Sequence, residues 1–153
     1  MLGEMTDQQI DHVLQEQTLG RIACCVDGKP YVVPISYAYD GQYVYAHSRE
    51  GVKIAMMRKN LNICFQVDIV VSMSNWRSVI LNGLYEELEN EEQQKALKIL
   101  SERFIPLETS EAPDQPQVQS HPPYIIEKKL KAIVFRIRIK EKSGRFEKRI
   151  PML

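Results

Sequence analysis

Between residues 45 and 53 the chain reads YAHSREGVK. His47, Ser48, Arg49, Gly51 and Lys53 follow one another where an apparent strand gives way to a helical pattern. These are groups that handle anions. Free backbone N–H groups at a helix start bind phosphate, Ser48 is placed to cap such a helix, and Gly51 lets a ligand approach the backbone. A cation in a helix's first turn opposes the helix dipole, and an anionic ligand relieves that conflict. Glu50 works against the idea, and a solvated turn accounts for the same residues. His47 adds a side-chain type that changes charge near neutral pH, suited to donating a proton to a reduced substrate or to holding an anion. Neither a Walker A sequence nor a GxGxxG stretch is present, so a phosphate site here is of another kind.

The elements that must position these residues can be read from periodicity. Thr6 followed by Gln9 predicts a capping box opening a short helix, with Ile10, Val13 and Leu14 on its buried side. Leu19 to Val26 is apolar and β-prone, and Asp27-Gly28 is a hairpin turn. A strand over 31–39, a second turn at Asp40-Gly41 and a strand over 42–47 complete a predicted three-strand meander. A helical pattern covers 51–59. Residues 61–68 alternate, with Leu61, Ile63, Phe65 and Val67 facing one way. A strand-like run covers 76–87, where Gly83 marks a bulge or bend. Residues 91–104 read as an amphipathic helix. The stretch 105–123 holds Pro106, Pro113, Pro116, Pro122 and Pro123 with no apolar period, which predicts a long loop or lid. A last strand over 131–139 turns Ile133, Phe135, Ile137 and Ile139 inward and Arg136 and Arg138 outward. Six mostly antiparallel strands with short peripheral helices predict a mainly β (α+β) barrel, most simply one domain over 1–153.

Composition excludes several functions. Twenty basic and twenty acidic side chains cancel, so the global positive field of a duplex-binding protein is missing and no nucleic-acid partner is expected. No apolar run approaches the roughly 20 residues that span a bilayer, and the first residues lack the order of a signal peptide; a cytoplasmic protein without a membrane partner is expected. Cys24, Cys25 and Cys64 lack zinc-ligand spacing and read as small buried apolar residues, so no metal is expected. His12 and His121 read as surface residues, and the acidic run 86–92 as a solvated helix start.

Hairpin arithmetic sorts the strand faces. If both Asp-Gly pairs are two-residue turns, Ile22 opposes Val33, Arg21 opposes Pro34, Tyr37 opposes Val44, Ser36 opposes Tyr45 and Pro34 opposes His47. One face then collects Ile22, Cys24, Tyr31, Val33, Ile35, Tyr37 and Val44 as a core. The other collects Arg21, Pro34, Ser36, Tyr45 and His47. A face of that composition is a wet surface, a ligand surface or a subunit interface. Pro34 belongs at an edge or a bulge, since it cannot donate to a ladder.

The ordered series GRIA, DGKPYVVPISY, YAHSREGVK and WRSV resembles the pyridoxamine 5′-phosphate oxidase-like flavin-binding split barrels, within them the branch of the nitroimidazole-resistance proteins. The resemblance covers roughly residues 5 to 104, and the final strand fits the same architecture. It implies a split-barrel homodimer with flavin mononucleotide (FMN) in clefts between the subunits. Val33, Pro34, Ile35, Ser36 and Tyr37 would line the flavin ring, His47 and Ser48 would lie beside it, and Lys53 would approach the phosphate. Trp76, Arg77, Ser78 and Val79 would complete the site, from the same subunit or the partner. It also implies an oxidoreductase reducing a small molecule, nitroreductase-like, with His47 as the catalytic residue and NAD(P)H as a transient electron donor. The pyridoxal-phosphate-binding C-terminal pattern of true pyridoxamine phosphate oxidases is missing, which argues against vitamin B6 synthesis. A non-catalytic flavin carrier or sensor, and a haem-binding split barrel, are the alternatives on the same fold.

Overall fold

The computed structural model of the chain describes residues 1–108 and 132–149. In chain order the elements are β1 (Leu2–Glu4), α1 (Asp7–Glu16), β2 (Leu19–Val26), β3 (Lys29–Ser36), β4 (Ala38–Tyr39), β5 (Tyr43–Ser48), α2 (Val52–Lys59), β6 (Asn62–Ser72), β7 (Asn75–Glu87), α3 (Asn90–Glu108) and β8 (Ile133–Lys148). Seven strands form one antiparallel sheet in the order β3-β2-β6-β7-β8-β5-β4, and β1 pairs with β8 beside it. The architecture is the expected mainly β split barrel with peripheral helices, with eight strands among the described residues rather than six.

Local chemistry explains most of the elements. The Thr6 hydroxyl accepts from the Gln9 N–H, and the Gln9 side chain accepts from the Thr6 N–H, so both halves of the capping box are made. Asp27 and Gly28 have φ of 52° and 76°, the two left-handed residues that a tight hairpin needs, and the β2–β3 register follows as predicted, Ile22 opposite Val33 and Arg21 opposite Pro34. The ladder between β7 and β8 slips at Asn82/Gly83. A Cβ on Gly83 would sit 2.4 Å from the Arg138 carbonyl oxygen, so the close approach of the two backbones there requires glycine.

The meander is corrected. β3 pairs with β2 alone, whereas β5 lies between β8 and β4, so the row joining Pro34 to His47 does not exist. The Asp40 carboxylate accepts from the N–H groups of Gln42 and Tyr43 at 2.8 and 2.7 Å, which moves the turn along the chain and pairs Ala38 with Tyr45 and Tyr39 with Val44. That is a shift of two residues from the predicted register, and a shift of two leaves each side chain on its predicted face.

The core lies inside the curl. Ile22, Ile35, Tyr37, Val44, Phe65, Val67, Val79, Leu81 and Ile137 are buried there, closed at the ends by α1 (Ile10, Val13, Leu14) and α2 (Ile54, Met57). Tyr31, assigned to the core, is 36% exposed, and Leu61, read on the same face as the buried Ile63, Phe65 and Val67, is 47% exposed. A second, smaller cluster joins α3 to the outside of the sheet through Ala38, Tyr45, Leu88, Ala96, Leu100 and Val134. Tyr45 is therefore covered by a helix rather than wet. The last strand runs nine residues past its predicted end, because its second half, KEKSGRFEK, is mostly charged and carries no apolar period. The Pro-rich stretch begins inside α3; the expected loop from 109 to 123 lies outside the described residues, as does His121. No helix among the described residues is long and apolar enough to cross a membrane.

Tyr37 joins these layers. It is fully buried, its hydroxyl donates to the Leu14 carbonyl at 2.8 Å, its N–H donates to the Thr18 carbonyl at 2.9 Å, and its ring meets Phe65 edge-on at 5.1 Å. Tyr37→Phe is expected to lower stability by about 1 kcal/mol, since a buried carbonyl loses its donor while the packing is kept; urea denaturation measures it, and an unchanged midpoint would contradict the role.

Candidate functional site

β3 runs through Tyr37 into β4, which pairs with β5; β3 itself pairs with β2 and β5 with β8, so a split separates β3 from β5. Pro34 and Ser36 line one edge of this split, both exposed, and among the described residues β3 has no strand on its other side. His47 and Ser48 stand on the other edge, His47 half-buried and opposite Val134 on β8, Ser48 buried and opposite Ile133. Of the predicted ring-lining residues, Val33, Ile35 and Tyr37 turn inward. The Tyr37 side chain is committed to the core, so any contact a ligand makes at this position falls to its backbone.

The junction after His47 is built differently from the sequence expectation. Ser48 does not cap α2; its hydroxyl donates to the Arg49 carbonyl at 2.9 Å. Gly51 is the N-cap residue, without a side-chain cap bond, and the first helical hydrogen bond is Ala55 N–H to Gly51 O at 3.1 Å. The N–H groups of Val52, Lys53 and Ile54 therefore precede the helical ladder. The first turn carries no acid, and a Cβ on Gly51 would meet only the Arg49 carbonyl at 4.0 Å. Lys53 is half-buried in that turn, and Arg49 is exposed just ahead of it. Donors, open space and positive charge thus coincide, which is the chemistry of an anion site.

Sequence reasoning missed what becomes of Glu50. Arg58, at the other end of α2, grips its carboxylate with two guanidinium nitrogens, at 3.0 and 2.9 Å. The same guanidinium holds Glu87 of β7 at 2.8 to 3.0 Å, and Glu87 accepts from the buried Tyr85 hydroxyl at 2.8 Å. No periodic pattern announces a contact between residues 58 and 87.

The remaining predicted residues lie elsewhere. Val79 is fully buried core. Trp76, Arg77 and Ser78 are half-buried on β7. The Trp76 indole donates to Glu147 at 3.1 Å. Ser78 accepts from Gln66 at 3.1 Å, in an outward polar strip with Asp68 and Arg21 that reaches Pro34 across β2. Trp76 and Arg77 border a cavity of about 560 Å³ whose walls also include Gln8, His12, Phe146 and Lys148. Trp76 opposes Glu147 and His47 opposes Val134, thirteen residues apart on one strand. At ~3.3 Å per residue that is roughly 40 Å of strand. Along β8 Trp76 is thus remote from His47, whereas Ser78 is linked through Gln66 and Arg21 to the strand pair that carries Pro34.

Between β5 and α3 lies a charged cluster. The Arg136 guanidinium stacks 4.2 Å from the centre of the Tyr43 ring and donates to Glu86 at 2.8 Å, and Arg138 bonds the other oxygen of the same carboxylate. The Asp40 carboxylate accepts from the Tyr45 hydroxyl, and burial first, then this bond, pushes that phenol up to about 12. Burial alone would raise the Glu86 carboxyl, but the two arginines together outweigh it and hold the group below its ordinary range.

With this geometry in view, comparisons place the chain. A model of the pyridoxamine 5′-phosphate oxidase family matches residues 6–146. The chain belongs to that family. Among solved structures, an FAD-binding protein from Mesorhizobium loti is 32% identical, with 97% of this chain and 98% of that one covered and a TM-score of 0.72. Two more distant members of the same fold are a Bacteroides thetaiotaomicron VPI-5482 protein provisionally assigned to 5-nitroimidazole antibiotic resistance (22% identity, coverage 95% and 87%, TM-score 0.70) and an FAD- and haem-binding protein from Mycobacterium smegmatis (20%, 99% and 76%, 0.70). The uncharacterized protein RA0666 of Rhizobium meliloti (strain 1021) is 39% identical over 84 residues, which span 55% of this chain and 56% of that protein.

Because the Glu86 carboxyl is depressed in the folded state, its contribution is present above the ordinary carboxylate pKa and is lost as pH falls through the lower folded value. Stability measured from neutral to acid pH should fall less steeply in Glu86→Gln than in the parent chain below the ordinary carboxylate range. Identical slopes would contradict the assignment.

Proposed function

We propose that this protein is a flavin-dependent oxidoreductase acting on a small molecule, with the phosphate of the flavin held at the β5–α2 junction. The observation that carries this reading is the start of α2, where three N–H groups, an open glycine N-cap and Lys53 converge without a first-turn acid. Its resemblance over almost the whole chain to a protein named for FAD adds independent support. FMN is the cofactor we favour; FMN and FAD share the phosphate chemistry that this junction suits. When bound, the flavin supplies the electron chemistry, and NAD(P)H is the donor class to test.

The chain's own residues take defined parts in this reading. Lys53 and the α2 N–H groups bind the phosphate. Pro34 and Ser36, on the opposite edge of the split, present backbone and hydroxyl to the ring. His47, half-buried beside them, delivers or holds a proton at the reacting substrate. Trp76 and Arg77 stand on β7, whose partner Glu147 lies roughly 40 Å of strand from the residue that pairs with His47, and in this reading they serve the flavin of a second copy. A homodimer with two shared clefts follows as part of the proposal.

Replacing Lys53 with Ala is expected to weaken FMN binding roughly tenfold, as for the loss of a charge-assisted contact; an unaltered dissociation constant would remove the phosphate from this junction. Replacing His47 with Ala should slow nitro-compound or quinone reduction while flavin stays bound. Turnover equal to the parent's would end its catalytic assignment. A full flavin complement with no turnover across a broad panel of acceptors would instead favour a flavin carrier.

A further inference from the structure

We infer that Arg58 is a positioning residue whose part is to hold Glu50 away from the anion-binding start of α2. The inference rests on the phosphate reading above. Glu50 immediately precedes the N-cap, two residues ahead of the first helical residue. A free carboxylate there is drawn to the positive end of the helix and to the Lys53 ammonium, the same partners that a phosphate would use. Glu50 is thus a built-in competitor for the site. In the structure it is disarmed. Arg58 binds both oxygens of its carboxylate in a fork, the geometry in which guanidinium–carboxylate pairs are most directional.

Isolated surface ion pairs contribute little, and Glu50 and Arg58 both reach solvent. Here the fork is anchored from behind. Arg58 is held at its other edge by Glu87, and Glu87 by the hydroxyl of Tyr85, a side chain only 3% exposed in the barrel core. The chain core–Tyr85–Glu87–Arg58–Glu50 connects β7, α2 and the loop after His47. It therefore fixes both the direction of the Glu50 carboxylate and the path of the loop that ends β5. Among the described residues Arg49 and Lys53 are in no ion pair, so the positive charge ahead of and within the first turn remains available to a ligand.

The test is a titration of flavin-depleted full-length protein with FMN and with riboflavin, which carries the same ring without the phosphate. The parent chain, Glu50→Gln, Arg58→Ala and the double variant are compared, with a thermal melt of each to verify folding. Arg58→Ala is expected to weaken FMN roughly five- to tenfold and leave riboflavin unchanged, the size of one new like-charge contact near the surface. Glu50→Gln in the Arg58→Ala background should restore FMN binding to within about twofold of the Glu50→Gln protein, and 0.5 M salt, roughly a 4 Å Debye length, should shrink the defect. Two results would overturn the inference: FMN binding unaffected in Arg58→Ala, or equal losses for FMN and riboflavin that the second substitution fails to repair. A parent chain that binds FMN no more tightly than riboflavin would contradict the phosphate reading itself, before any variant is compared.

Discussion

One residue, Tyr37, separates two strands that lie at opposite ends of the sheet order. β3 ends at Ser36 and β4 begins at Ala38, so the sheet must curl until its two edges meet around that side chain. The ring is buried against Phe65, the hydroxyl is satisfied by the end of α1 and the N–H by the connection into β2. With both hydrogen-bond donors of Tyr37 paired inside, the curl is compatible with a dry core. The split between β3 and β5 is the geometric consequence, because the strands that touch at β4 must diverge to pair with different partners. Pro34 and Ser36 therefore lie on β3 and His47 and Ser48 on β5 with no ladder between the two strands.

α2 then does two jobs at once. Its buried side, Ile54 and Met57, closes the barrel, and its start presents unpaired donors beside the split. A short helix with no capping side chain and a lysine in its first turn is poorly stabilised by its own sequence. Packing holds it in place, and the Arg58 fork ties the loop before it to β7. The open start of α2 is thus maintained by tertiary contacts rather than by capping of its own.

How far the sequence could be read depended on how local each feature was. The capping box at Thr6, the Asp27-Gly28 turn and the bulge at Gly83 are set by neighbouring residues and were legible. Face assignment survived even where register did not, because Asp40 displaced the turn by two residues and side chains alternate with a period of two. Pro34 announced an edge strand, and β3 is one. What escaped was non-local. Nothing in the sequence tells β5 to choose β8 over β3, or Arg58 to reach Glu87. The second half of β8 was hidden by its mostly charged composition, and Ser48 looked like a cap until its hydroxyl turned to the Arg49 carbonyl. At the candidate site the residue types of the YAHSREGVK stretch were legible; that Gly51 rather than Ser48 begins the helix was not.

The central claim is that this family member holds a flavin. The most direct measurement is the absorption spectrum of freshly purified, untagged protein, followed by that of the supernatant after heat denaturation. Paired near-ultraviolet and blue bands are expected, with free flavin mononucleotide released into solution. A colourless protein that also takes up no added FMN or FAD would contradict it.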